Sequence, residues 1–232
     1  MSVIFNNMDK MSFDDLGEES EFIPLMTSED EEALEKENLP EVLPILPLTN
    51  TVLFPGVVIP INAGRDKSIK LINDANKSNK LIGVVAQKDI KIENPSIENI
   101  FNIGTVAKIL RVLKMPDGNT TVIIQGKKRF KIKSVVKTDP YIQATINSIT
   151  DKNQKKSNSK FTATIDAIKD IALKIIKENP NIPSEASFAI KNIHSSAFLI
   201  NFVCSNMNIT VKDKQDLLSC LNVENRALKC LK

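Results

Sequence analysis

Thr105–Gln125 reads TVAKILRVLKMPDGNTTVIIQ, and its pattern decides the first half of the chain. Thr105–Leu113 alternates, with Val106, Ile109 and Leu113 among its apolar positions. Met115-Pro116-Asp117-Gly118-Asn119 supplies turn residues, and Thr120–Gln125 returns as a second β-rich run. Asp-Gly between two such runs is the strongest short-range hairpin signal, because both residues tolerate the backbone angles a tight turn needs.

Working outward, more strands appear on either side. Val42–Leu48 is apolar but broken by Pro44 and Pro47, which cannot donate to a ladder, so it reads as an edge or irregular strand. Pro55-Gly56 marks a turn, and Val57–Ile61 follows as a strand. Arg65–Asn76 carries Ile69, Leu71, Ile72 and Ala75 on one side and predicts a short amphipathic helix. Leu81–Ala86 has the continuous apolar character of a buried strand, and the polar residues 88–102 read as a loop with room for a helical turn. Downstream, Phe130–Val136 and Tyr141–Ile149 are two further strands separated at Asp139-Pro140. Six or seven short strands and one helix predict a small, mostly antiparallel, barrel-like β domain over residues 39–150.

Residues 151–160 contain no apolar side chain and read as a linker. Beyond them the period changes. Phe161, Ile165, Ile168, Ala172, Ile175 and Ile176 fall on one helical stripe, which Asn179-Pro180 ends. Helices are also predicted around 185–193 and 196–207. Thr210 is placed to cap Val211–Cys220, and Asn222 to cap a last helix that runs to Lys232 with no stop signal. The class is therefore α+β, with a helical domain over residues 161–232 that reads as cut within its final helix.

Charge is unevenly spread. Residues 1–41 hold 13 acidic and 2 basic side chains, whereas residues 42–232 hold 15 acidic and 29 basic. An acidic leader over residues 1–38, poor in core formers, is expected to be disordered and to solubilise the chain or visit its basic body. The three cysteines and the absence of a secretory signal read as reduced and intracellular. No apolar run approaches the ~20 residues that span a bilayer.

Candidate chemistry is sparse. His194 is the sole histidine, and no orienting group accompanies it and Cys204, so a Cys–His nucleophile is not supported. Cys204, Cys220 and Cys230 lack the close spacing of a zinc set and read as small core hydrophobes. No phosphate-binding loop is present. Gly118 and Gly126-Lys127 have the wrong spacing for one. Two sequons, at Asn119 and Asn208, are chance matches in a chain with no secretory signal. Lys127, Arg129, Lys131 and Lys133 alternate on a strand, with Phe130 and Ile132 on the opposite face, and predict a solvated basic face able to touch a polyanion.

Several strings in order carry a family resemblance. LeuProIleLeuProLeu at 43–48, PheProGly at 54–56 and ValIleProIle at 58–61 resemble the opening of Lon amino-terminal domains. So do GlyArgAspLysSerIle at 64–69, ValAlaGlnLysAsp at 85–89, IleGlyThrValAlaLysIle at 103–109 and MetProAspGly at 115–118. In the helical part, LysAspLysGlnAspLeuLeu at 212–218 and ValGluAsnArg at 223–226 are similar too. The resemblance implies a PUA-like β barrel followed by helices, acting as the substrate-recognition and docking region of a cytoplasmic, hexameric, ATP-dependent protease. It implies no cofactor in this chain, with ATP and Mg belonging to the ATPase and Ser–Lys protease domains of a full-length enzyme. A fragment of such an enzyme and a free-standing Lon-domain protein are both compatible with it. Implied partners are unfolded or damaged proteins and the chain's own ATPase–protease domains, with weak nucleic-acid contact as the alternative. Prolines crowd the first β segment, so Phe54, Pro55 and Val57 are expected at an accessible sheet edge where a substrate chain would touch.

Overall fold

The structure, a computed structural model, describes residues 39–114, 120–151, 159–179, 182 and 185–232. The acidic leader, the Met115–Asn119 turn and most of the polar linker lie outside the described residues. The strands are β1 (Val42–Leu48), β2 (Val58–Ala63), β3 (Leu81–Ala86), β4 (Ile103–Lys114), β5 (Thr120–Lys137) and β6 (Gln143–Ile149). The helices are α1 (Asp66–Lys77), α2 (Ser159–Glu178), α3 (Glu185–Asn192), α4 (Ser196–Asn206), α5 (Val211–Ser219) and α6 (Val223–Cys230). A 3₁₀ turn, Ile97–Asn99, sits in the loop before β4.

The sheet runs β2-β5-β4-β3-β1-β6, and β6 also pairs with β5. That second pairing closes β5, β4, β3, β1 and β6 into a ring, with β2 held on the outside of β5. Among the described strands only β1 and β3 run parallel, with β2 and α1 in the connection between them. Closure pairs the ring strands on both sides, and β2, bonded to β5 alone, keeps one open edge.

Two sequence expectations change here. β1 is not an edge strand. It pairs with β6 over Val42–Pro44 and with β3 over Ile45–Leu48. Each half therefore bonds mainly to one neighbour, which is where a residue without an N–H is tolerated. The runs Thr120–Gln125 and Phe130–Val136 are not separate strands but one 18-residue strand, β5. It bends through register irregularities against β4 and β6, the local twist and kink that bulges produce. Gly126, in its middle, allows the backbone of Phe54 to come close: a Cβ there would lie 2.3 Å from the Phe54 carbonyl oxygen.

Three apolar clusters fill the molecule. One joins strand residues Leu46, Ile82, Val84, Ile109, Val122 and Ile124 to Leu71, Ile72 and Ala75 of α1, so α1 plugs one side of the barrel. A second lies around Leu43, Ile45, Val106 and Phe130. The third is shared: Val52, Phe54, Val57 and Ala86 of the β unit pack with Ile168, Leu199, Ile200, Leu218 and Ala227 of the helical unit. The helices thus bury their stripe partly against the barrel and partly against each other.

Candidate functional site: the seam between barrel and helices

β5 delivers Arg129 to the seam. Its guanidinium is 2% exposed, and it donates through Nη1 to the Leu218 carbonyl (2.6 Å) and the Cys220 carbonyl (3.0 Å) at the end of α5. A cation is favoured there because the last carbonyls of a helix carry partial negative charge. Nη2 of Arg129 donates to Asp151 Oδ1, just after β6. Asp151 Oδ2 accepts from Nη2 of Arg226 on α6 at 2.9 Å. One carboxylate therefore serves two buried cations and ties β5, the end of β6 and α6 together. Burial lowers the Arg129 pKa, and the Asp151 charge opposes that shift. Arg226 is fully buried, and its Nε and Nη1 have no hydrogen-bond partner.

Two amides add to the seam. Gln215 of α5 donates to the Ile103 carbonyl at 2.9 Å, and Asn201 of α4 donates to the Pro55 carbonyl at 3.2 Å. Both side chains are buried, so each bond satisfies a backbone acceptor that would otherwise be desolvated at a cost of about 1–3 kcal/mol.

The residues expected to contact substrate are brought together, but not on the surface. Phe54 is fully buried and Val57 nearly so, both within the shared cluster. Pro55, between them, is half-buried. The expected open edge is covered because the helical unit packs on this segment and Asn201 grips its backbone. The basic strand is also corrected. Lys131 and Lys133 are exposed, Phe130 and Ile132 face inward as alternation requires, and Lys127 is half-buried. Arg129 shares the outward side with Lys131, but helices α5 and α6 cover it, so it is a seam residue and not part of a solvated face.

The remaining candidates are plainly placed. His194 is exposed in the connection between α3 and α4, and Cys204 and Cys230 are buried in the helical unit. Among the described residues no cluster of three His, Cys, Asp or Glu side chains is positioned for a metal, and no helix is long and apolar enough to cross a membrane. Exposed apolar side chains do occur, foremost Phe188 on α3 at 66%, with Val136 at the end of β5 and Ile171 on α2 also open. Sequence reasoning missed Phe188 as a surface residue. The sequence reading placed a helix there without assigning its faces, and on α3 Ile190 is buried while Phe188 is open.

Residues 42–232 match the family described as the ATP-dependent protease La (LON) substrate-binding domain. The Lon protease of Flavobacterium johnsoniae is 60% identical over 225 residues, which is 97% of this chain and 28% of that protein. The Lon protease of Cytophaga hutchinsonii is 50% identical over 207 residues, 89% of this chain and 26% of that protein. The chain thus spans little more than a quarter of the length of these relatives. Among solved structures, the N-terminal domain of a Mycobacterium avium complex Lon protease superposes with a TM-score of 0.62 at 21% identity, covering 82% of this chain and 96% of that one. A Lon N-terminal domain protein from Xanthomonas campestris gives a TM-score of 0.60 at 15% identity with the same coverage. At such identities the two structures speak for the fold, α+β with barrel and helices.

Proposed function

This chain belongs to the LON substrate-binding domain family, and we propose that it captures unfolded or damaged protein chains and presents them to the ATPase and protease domains of a longer, hexameric, cytoplasmic Lon protease. The observation that carries this reading is the family match over residues 42–232, which spans the barrel and the helices together. The seam supports it physically. A shared apolar core and the Arg129–Asp151–Arg226 clasp couple the two units, so a chain held on one is fixed in direction relative to the other.

Capture of many sequences needs accessible apolar side chains that bind each weakly. Phe188, Val136 and Ile171 meet that requirement as the structure stands. Pro55 is the accessible member of the Phe54, Pro55 and Val57 set, and contact through Phe54 or Val57 requires the helices to draw back. The experiment is fluorescence anisotropy with a reduced and alkylated protein that cannot refold, beside its native form. Binding to the unfolded form alone, weakened by Phe188→Ser, supports the reading. Equal binding to both forms, or none, contradicts it.

A second reading has one observation in its favour: Lys131 and Lys133 stand exposed on the outer face of the barrel. They suit weak contact with a polyanion such as nucleic acid. Because such contact releases counterions, its affinity falls steeply with salt, which separates it from apolar capture.

A further inference from the structure

The three cysteines have no spacing that suggests a metal, yet the fold brings two of them to one place. Cys204 lies on α4 and is fully buried. Cys230 ends α6 and is 9% exposed. Cys204 and Cys230 share one buried cluster and lie close enough to perturb each other's thiols. Met207 follows Cys204 by three residues, the spacing that puts two side chains on one helical face. Its Sδ lies 3.7 Å from Cys230 Sγ. Three sulfurs from two elements thus converge just beneath the surface, where Met207 remains partly accessible.

We propose that Cys204, Met207 and Cys230 form a three-sulfur site for a soft monovalent cation, Cu(I). Thiolate and thioether donors select Cu(I) over harder ions. Bonds of about 2.3 Å, the length of a metal–thiolate bond in zinc sites, place the sulfurs of a trigonal set about 4 Å apart. The Cys230–Met207 separation already approaches that value. Zinc is a poorer match, because structural zinc takes four thiolate, imidazole or carboxylate ligands, and the described residues supply no such set.

The charge balance favours the same occupant. Binding releases two thiol protons to solvent and transfers no electron. Two thiolates and one Cu(I) leave the site with a single negative charge. Arg226, one turn before Cys230 on α6, is a fully buried cation that shares its one carboxylate with Arg129 and has Nε and Nη1 unpartnered. Lys214, partly buried beside α4, donates to the Ser205 carbonyl at 2.6 Å and adds a second positive charge. A monoanionic cluster is what this surrounding lacks. Cu(I) would clamp the end of α4 to the end of α6, so its occupancy would stiffen the helical unit.

The test is an anaerobic titration of the reduced chain with Cu(I) against bicinchoninate, followed by X-ray absorption at the copper edge. One Cu(I) per chain should be withdrawn from the chelator, bound by three sulfurs. Cys230→Ser and Cys204→Ala should abolish the withdrawal, and Cys220→Ser should leave it intact. Met207→Leu conserves volume and so keeps the fold. It should weaken binding about tenfold, as loss of one neutral ligand, and reduce the sulfur count to two. The proposal is overturned if no copper is withdrawn, if binding survives removal of Cys204 and Cys230, or if the unmodified chain shows only two sulfurs.

Discussion

Replacing Asp151 by Ala removes the carboxylate that pairs with Arg129 and Arg226 and leaves two buried guanidiniums behind. Arg129 keeps the Leu218 and Cys220 carbonyls. Arg226 keeps none of its recorded acceptors, since Asp151 is the group it bonds and its Nε and Nη1 are already unsatisfied. Breaking a buried ion pair from one side costs about 3–5 kcal/mol, a large part of the about 5–15 kcal/mol that holds a domain folded. With a urea dependence of about 2 kcal/mol per molar, the unfolding midpoint should fall by about 1.5–2.5 M. Removing the stranded cation as well, in Asp151→Ala/Arg226→Met, should recover more than half of the loss, because an apolar group tolerates that site better than an unpaired charge. Raising the salt should change little, since buried charges are screened weakly. The assay is urea denaturation followed by circular dichroism. A midpoint shift below about 0.5 M for the single variant, or strictly additive effects in the double one, would refute the clasp as a structural tie.

Phe54→Ala should cost about 3–5 kcal/mol, as for a fully buried aromatic, and appear in thermal melts as a folding defect; an unchanged melting temperature would return Phe54 to the surface. Gly126→Ala should destabilise by about 1–3 kcal/mol or more through overpacking, because the new Cβ meets a backbone oxygen that cannot swing aside; a neutral result in the same melts would contradict the close approach of β5 to the Phe54 segment. Lys131→Gln/Lys133→Gln should flatten the salt dependence of oligonucleotide binding while leaving capture of unfolded protein unchanged, both read by anisotropy.

Much of this architecture was legible in local pattern. Leu81–Ala86 forms β3 over the residues its apolar run marks. Thr210 and Asn222 accept bonds from the Asp213 and Asn225 amides, so both helix starts were written in single cap residues. What depended on distant partners was not legible. Pro44 and Pro47 suggested an edge, but β1 changes partner midway, and the strands it meets lie about 40 and 100 residues away in sequence. Arg129 looked solvated because alternation gives the side of a strand and not what covers it; its acceptors lie 22, 89 and 91 residues off. Phe54 and Val57 were misplaced for the same reason, since their cover comes from helices that begin a hundred residues later.

The central claim is capture of unfolded chains through apolar contact, and one measurement bears on it most directly. It is the affinity of this chain for a reduced and alkylated model protein, at about 50 mM and about 500 mM salt, with an oligonucleotide measured in parallel. Apolar capture predicts near-constant affinity for the unfolded protein across that range and no affinity for its native form. A steep loss with salt, matched by equal binding to the oligonucleotide, would contradict it and make the Lys131–Lys133 face the working surface.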